Sequence, residues 1–141
     1  EGARLYVEQH NRPLTVDDVN PIASLQAELE EVAIRKARGL VIHDTDLVST
    51  LVYAHHYYGT SPAWITRTAS ERAADLYLLC DIDLPWVSDG LQRDSGLAEQ
   101  RRQIHEKFVE AMTRSGLRWT LIRGLGEKRL EQAVRAIKAL A

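Results

Sequence analysis

Several residue types are nearly missing from this chain. Of its 141 residues, one is cysteine, one is methionine and one is phenylalanine. A lone Cys80 excludes an internal disulfide framework and, with it, a cysteine-rich zinc site. No apolar run approaches the ~20 residues that span a bilayer. The first residues do not read as a signal peptide, so a reducing, cytoplasmic setting with no membrane partner is expected. An excess of either charge is missing too. Eighteen Lys and Arg stand against 20 Asp and Glu, a formal net charge of −2. That excludes the basic signature of a nucleic-acid binder. There is no internal repeat, low-complexity tract or Gly/Ser/Pro-rich linker. One domain over residues 1–141 is expected. The chain opens on Glu1 and its sole methionine is Met112, so a piece of a longer protein is expected. One motif is also absent. No Gly-x-x-x-x-Gly-Lys-[Ser/Thr] occurs. Gly124-Leu125-Gly126-Glu127-Lys128 has the wrong spacing, so these 141 residues hold no P-loop to cradle phosphates.

What is present is an alternation of helices and short apolar runs, at 45% hydrophobic and 27% charged residues. A helix is expected over 1–10, then a loop and a short turn capped by Thr15. Asn20-Pro21 opens a longer helix to about residue 37. Its inner stripe reads Ile22, Leu25, Leu29, Val32, Ala33 and Lys36, and its solvated face Glu28, Glu30, Glu31 and Arg35. Leu40-Val41-Ile42 reads as a strand buried on both faces of a parallel sheet. Helices follow over 46–58 and 62–74, the first stopped by Gly59. A second strand spans 76–80, with Cys80 as a small buried hydrophobe. Residues 83–96 form a polar loop. A helix over 97–115 turns Leu97, Ile104, Phe108 and Met112 to one side. A third strand, 119–122, takes Trp119 into the core. The last helix points Leu130, Val134, Ile137 and Leu140 inward. Strands separated by helices predict an α/β parallel sheet with right-handed crossovers. Three strands are few for so many helices, so at least one more strand is expected outside the chain.

Ligands of open α/β sheets bind beyond the carboxyl ends of the strands. Asp44 follows an apolar run directly, as a Walker B carboxylate does when it holds Mg²⁺ through water. Asp46 reads as a second metal-shell carboxylate or a general base. The other reading is that Asp44, Thr45 or Asp46 caps the next helix. Arg93, Arg101 and Arg102 cluster beside the polar loop, as lid arginines that neutralise phosphate or as ordinary surface charges. Gly124 and Gly126 let backbone approach an adenine ring or form a plain strand-to-helix turn. Trp86 stacks on a planar substrate or pins its loop. His55 and His56 point about 100° apart on a helix, which does not suit one shared metal.

Glu1-Gly2-Ala3-Arg4, Asp44-Thr45-Asp46, Leu78-Leu79-Cys80-Asp81 and Pro85-Trp86-Val87-x-Asp89-Gly90 together resemble AAA-domain P-loop ATPases of the NadR type, the ribosylnicotinamide kinase-like group. The resemblance spans nearly the whole chain. It implies a P-loop NTPase-like, three-layer α/β/α sheet whose first strand and P-loop lie upstream of Glu1. It implies ATP and Mg²⁺ as cofactors and a nucleoside-like small molecule as phosphoryl acceptor. Asp44 would then be the metal-linked carboxylate, indirect through water, Asp46 its catalytic neighbour and Arg93 a phosphate-contacting lid arginine. Glu1, Arg4, Gln26, Trp86 and Asp89 would face the acceptor. Arg101, Arg102, Gly124 and Gly126 would border the nucleotide. The alternative is an ATP-binding regulatory or interaction module without metabolite kinase activity. Asp89-Gly90-Leu91-Gln92-Arg93-Asp94 is one residue longer than the Asp-Gly-x-Arg-Asp common in relatives.

Overall fold

The computed structural model describes residues 2–87 and 98–140. They fall into two compact units, residues 2–72 and residues 73–87 with 98–140.

The first unit is helical. Helix α1 spans Gly2–His10, α2 Val19–Lys36, α3 Leu47–Tyr58 and α4 Ala63–Glu71, with a 3-10 turn at Val16–Asp18 before α2. Helix α3 shows sequence signals acting at both ends. The Asp46 carboxylate accepts from Val48 N at 3.0 Å and Ser49 N at 3.2 Å, occupying two of the helix's orphan donors. Gly59 closes the helix at φ 70°, a left-handed stop that glycine adopts without strain. The core gathers Val7, Val19, Ile22, Ala23, Leu47, Val48, Val52 and Ile65. Trp64 Nε1 donates to Asn20 at 2.7 Å, and Arg72 pairs with Glu31 at 2.7 Å, so both ends of α4 are tied to α2.

The buried face of α2 differs from the expected stripe. Val19, Ile22, Ala23, Gln26 and Glu30 are buried, whereas Val32 is exposed. Helices α1 and α3 both pack on α2, and they select a face that includes two polar residues. Glu30, expected on the solvated face, is only 5% exposed. The expected strand at 40–42 is not one. Leu40 and Ile42 are 60% and 70% exposed, and among the described residues no strand pairs with this stretch. An apolar run becomes a strand only when a ladder partner takes up its N–H and C=O groups.

The second unit is α/β. Strand β1 spans Tyr77–Cys80, α5 Ala98–Arg114, β2 Trp119–Ile122 and α6 Gly126–Lys138. The strands pair in parallel with Tyr77 opposite Trp119 and Cys80 opposite Ile122. Helix α5 ends in a Schellman turn, with Gly116 at φ 64° and Leu117 N donating to Met112 O at 3.0 Å. Leu79, Met112 and Ile122 are buried. Two expectations are corrected. Cys80, the last residue of β1, is exposed and not a buried hydrophobe. On α6, Leu130 and Val134 are exposed at 63% and 39%. The half-buried face of α6 runs through Arg129, Gln132, Ala133, Ala136, Ile137 and Leu140, so the expected stripe holds for Ile137 and Leu140 and fails for Leu130 and Val134, which no described element covers.

Candidate functional site

Residues 43–46 form a turn between α2 and α3. Thr45 there takes φ 66°, a left-handed conformation that β-branched residues rarely adopt. Its carbonyl accepts from Gln26 Nε2 at 3.2 Å. The same amide donates to Glu30 Oε1 at 3.0 Å, and its oxygen accepts from Gly2 N at 2.8 Å. Gln26 thus joins three pieces of chain: the start of α1, the next turn of α2 and the residues before α3. Burial pushes the Glu30 carboxyl above its ordinary range, and the Asp46 carboxylate pushes the same way. The Gln26 hydrogen bond, His43 and Arg72 oppose it.

Asp44 is exposed within this turn. Asp46 sits two residues on as the cap of α3, so the capping alternative is realised at Asp46. Gln26 and the Asp44–Asp46 turn, all expected site residues, therefore meet in one place. Arg4 lies on α1, half-buried.

A second polar cluster sits beyond the carboxyl ends of β1 and β2. Asp83 accepts from Gly124 N at 2.6 Å and from Arg129 at 2.7 Å. The Gly124 amide, followed by Arg129, holds the Asp83 carboxyl below its ordinary range. Arg129 also donates to Gly124 O at 3.0 Å and Asp81 O at 2.8 Å. Arg123 pairs with Asp81 at 2.7 Å. Gly124 at φ 89° and Gly126 at φ 51° shape the turn into α6, and Asp83 and Arg129 lock it.

The expected lid arginines have other partners. Arg101 donates to Leu84 O at 3.1 Å, which ties α5 to the segment after β1. Arg102 bridges Glu99 and Glu106 on its own helix, each at 2.6 Å. Trp86 is 37% exposed. Glu1, Asp89 and Arg93 lie outside the described residues. Sequence reasoning did not single out Glu30, Asp83 or Arg129 individually. Glu30 was findable, being one helical turn beyond Gln26 on the same face.

Residues 1–129 match the family described as AAA domain. The chain is 27% identical over 126 residues to the trifunctional NAD biosynthesis/regulator protein NadR of Escherichia coli (strain K12), covering 86% of this chain and 30% of that protein. It is 27% identical over 127 residues to the protein of the same name from Salmonella typhimurium (strain LT2), covering 87% and 31%. The chain spans less than a third of the length of these curated relatives. With most of its length matched, the chain belongs to the AAA domain family and is of the NadR type within it.

That family implies ATP and Mg²⁺. Among the described residues no group of three or more His, Cys, Asp or Glu is arranged to hold a metal directly. An exposed Asp44 fits the lesser demand of a metal held through water, since phosphates and waters supply the remaining oxygens. The phosphate cradle is not within the 141 residues. No helix among the described residues is long and apolar enough to cross a membrane.

Proposed function

We propose that this chain carries the metal-facing and acceptor-facing parts of an ATP-dependent small-molecule kinase whose acceptor is nucleoside-like, ribosylnicotinamide being the first to test. The observation that carries this reading is the turn with exposed Asp44, anchored by a buried side-chain amide, in a chain of the AAA domain family. Bound Mg²⁺ supplies charge neutralisation on the ATP phosphates. Asp44 orients the metal's water shell. Arg93, Arg101 and Arg102 form the arginine side of the lid, and the locked Gly124–Gly126 turn borders the base. Glu1, Arg4, Trp86 and Asp89 face the acceptor. The reading also carries a three-layer α/β/α sheet. The relatives' name, which includes NAD biosynthesis, supports a nucleoside-like acceptor.

The test is ATP consumption by the full-length protein against a nucleoside panel that includes ribosylnicotinamide. One acceptor should be phosphorylated, and Asp44→Asn should lower kcat by about 100-fold or more. No transfer to any acceptor would overturn the kinase reading.

A second reading is an ATP-binding regulatory or interaction module. The engagement of Asp46 in the α3 cap favours it, because that carboxylate already has a structural task. Asp46→Asn separates the two, since asparagine caps as well as aspartate. A kinase that uses the Asp46 charge loses transfer and keeps ATP binding. A binding module keeps its partner interaction unchanged.

A further inference from the structure

The left-handed Thr45 needs a restraint, because such a conformation persists only where its surroundings over-determine it. The described restraint on its carbonyl is Gln26 Nε2. A primary amide is nearly symmetric in shape, so packing alone cannot say which end is nitrogen; its hydrogen-bond partners decide. Here the partners have a fixed polarity. Gly2 N can only donate, and Glu30 Oε1 and the Thr45 carbonyl accept. Turned over, the amide would set nitrogen against N–H and oxygen against two acceptors. Glu30 makes the correct orientation the better one. It sits 5% exposed on a helix face otherwise lined by Val19, Ile22 and Ala23, where an apolar residue would be less costly to bury.

We propose that Glu30 is a positioning residue: through Gln26 it holds the Thr45 carbonyl, and so the strained turn that carries Asp44 and Asp46. Its relevance to phosphoryl transfer rests on the kinase reading above. Its hold on the turn does not. Glu30 itself touches neither nucleotide nor acceptor.

The experiment uses the full-length protein with two variants, Glu30→Met and the exchange pair Gln26→Glu with Glu30→Gln. Amide hydrogen exchange at Val48 and Ser49, thermal melting, kcat and the KM for ATP are measured on each. Glu30→Met should speed exchange at these two amides about tenfold and lower kcat, with KM for ATP unchanged. The exchange pair remakes the bond between positions 26 and 30 and still accepts from Gly2 N. It offers no N–H to the Thr45 carbonyl. A carboxylate oxygen then faces the Thr45 carbonyl, acceptor against acceptor, so exchange at Val48 and Ser49 should stay fast and kcat should stay low. The proposal is overturned if the exchange pair restores slow exchange, or if Glu30→Met folds and leaves exchange as in wild type. Should Glu30→Met fail to fold, Glu30→Ala takes its place with the same expected and overturning results. Should the wild type transfer no phosphate, the kinase reading falls, and the exchange rates still decide the role of Glu30.

Discussion

Gly2 packs so closely that a side chain would crowd its neighbour. A β-carbon there would stand 3.1 Å from Gln26 N and 3.2 Å from Gln26 Cα. Both are helix backbone atoms, which cannot swing aside. Gly2→Ala is expected to cost about 1–3 kcal/mol, read as a lower denaturation midpoint. Asp18 governs a pH effect. It is 3% exposed and accepts from Arg12 at 2.7 Å, from Thr15 N at 2.7 Å and from the Tyr6 hydroxyl at 2.9 Å. Arg12 first of all holds its carboxyl well below the ordinary range. A depressed folded pKa stabilises above the unfolded value of about 3.9 and is lost as pH falls through the folded one. Asp18→Asn should cost about 2 kcal/mol at neutral pH. It should also flatten the loss of stability below about pH 4, seen in denaturation midpoints across pH. Among single residues, the stop at Gly59 was legible, and the cap was narrowed to Asp44, Thr45 or Asp46, because both signals act on their own helix. Glu30 was misread because a glutamate in a helix is usually solvated, and only the packing of α1 and α3 onto α2 puts it inside.

Helix α3 gives the clearest local experiment. Asp46→Ala removes the acceptor for two helix-end amides and should cost about 1 kcal/mol, against little for Asp46→Asn; urea midpoints distinguish them. In the second unit, Arg129 ties the end of β1 to Asp83 and to the turn before α6, with its side chain 16% exposed. Arg129→Lys should not restore the stability lost in Arg129→Ala, because an ammonium cannot span these acceptors as a guanidinium does. Thermal melts of both variants check this. Boundaries of α3, β2 and α5 fell within a residue or two of expectation. Helix α4 ended three residues early, at Glu71. The stretch 40–42 was read from composition as a strand, but a strand is a relation between two chains of backbone, and its partner is not among the described residues.

At the scale of the molecule, several large apolar side chains among the described residues stand exposed. Leu40, Ile42, Val87, Leu125 and Leu130 are each at least 60% exposed. An exposed apolar run such as 40–42 favours association. The 141-residue polypeptide should scatter more light as concentration rises, and Leu40→Lys with Ile42→Lys should reduce that; unchanged scattering would clear this segment. The missing P-loop bears on nucleotide binding too. With no P-loop in its 141 residues, this polypeptide should show no rise in melting temperature with millimolar Mg-ATP.

The sequence by itself determined the α/β alternation from residue 76 onward, the stop of α3 at Gly59 and the kinship with the AAA domain family, since these follow from local chemistry and residue order. Tertiary structure alone decided that Gln26 and Glu30 face inward, that Thr45 is held in a left-handed turn, and that Asp83 and Arg129 lock the Gly124 turn. Those facts depend on atoms brought together from distant positions, where burial and hydrogen-bond polarity, and not spacing along the chain, select the partner.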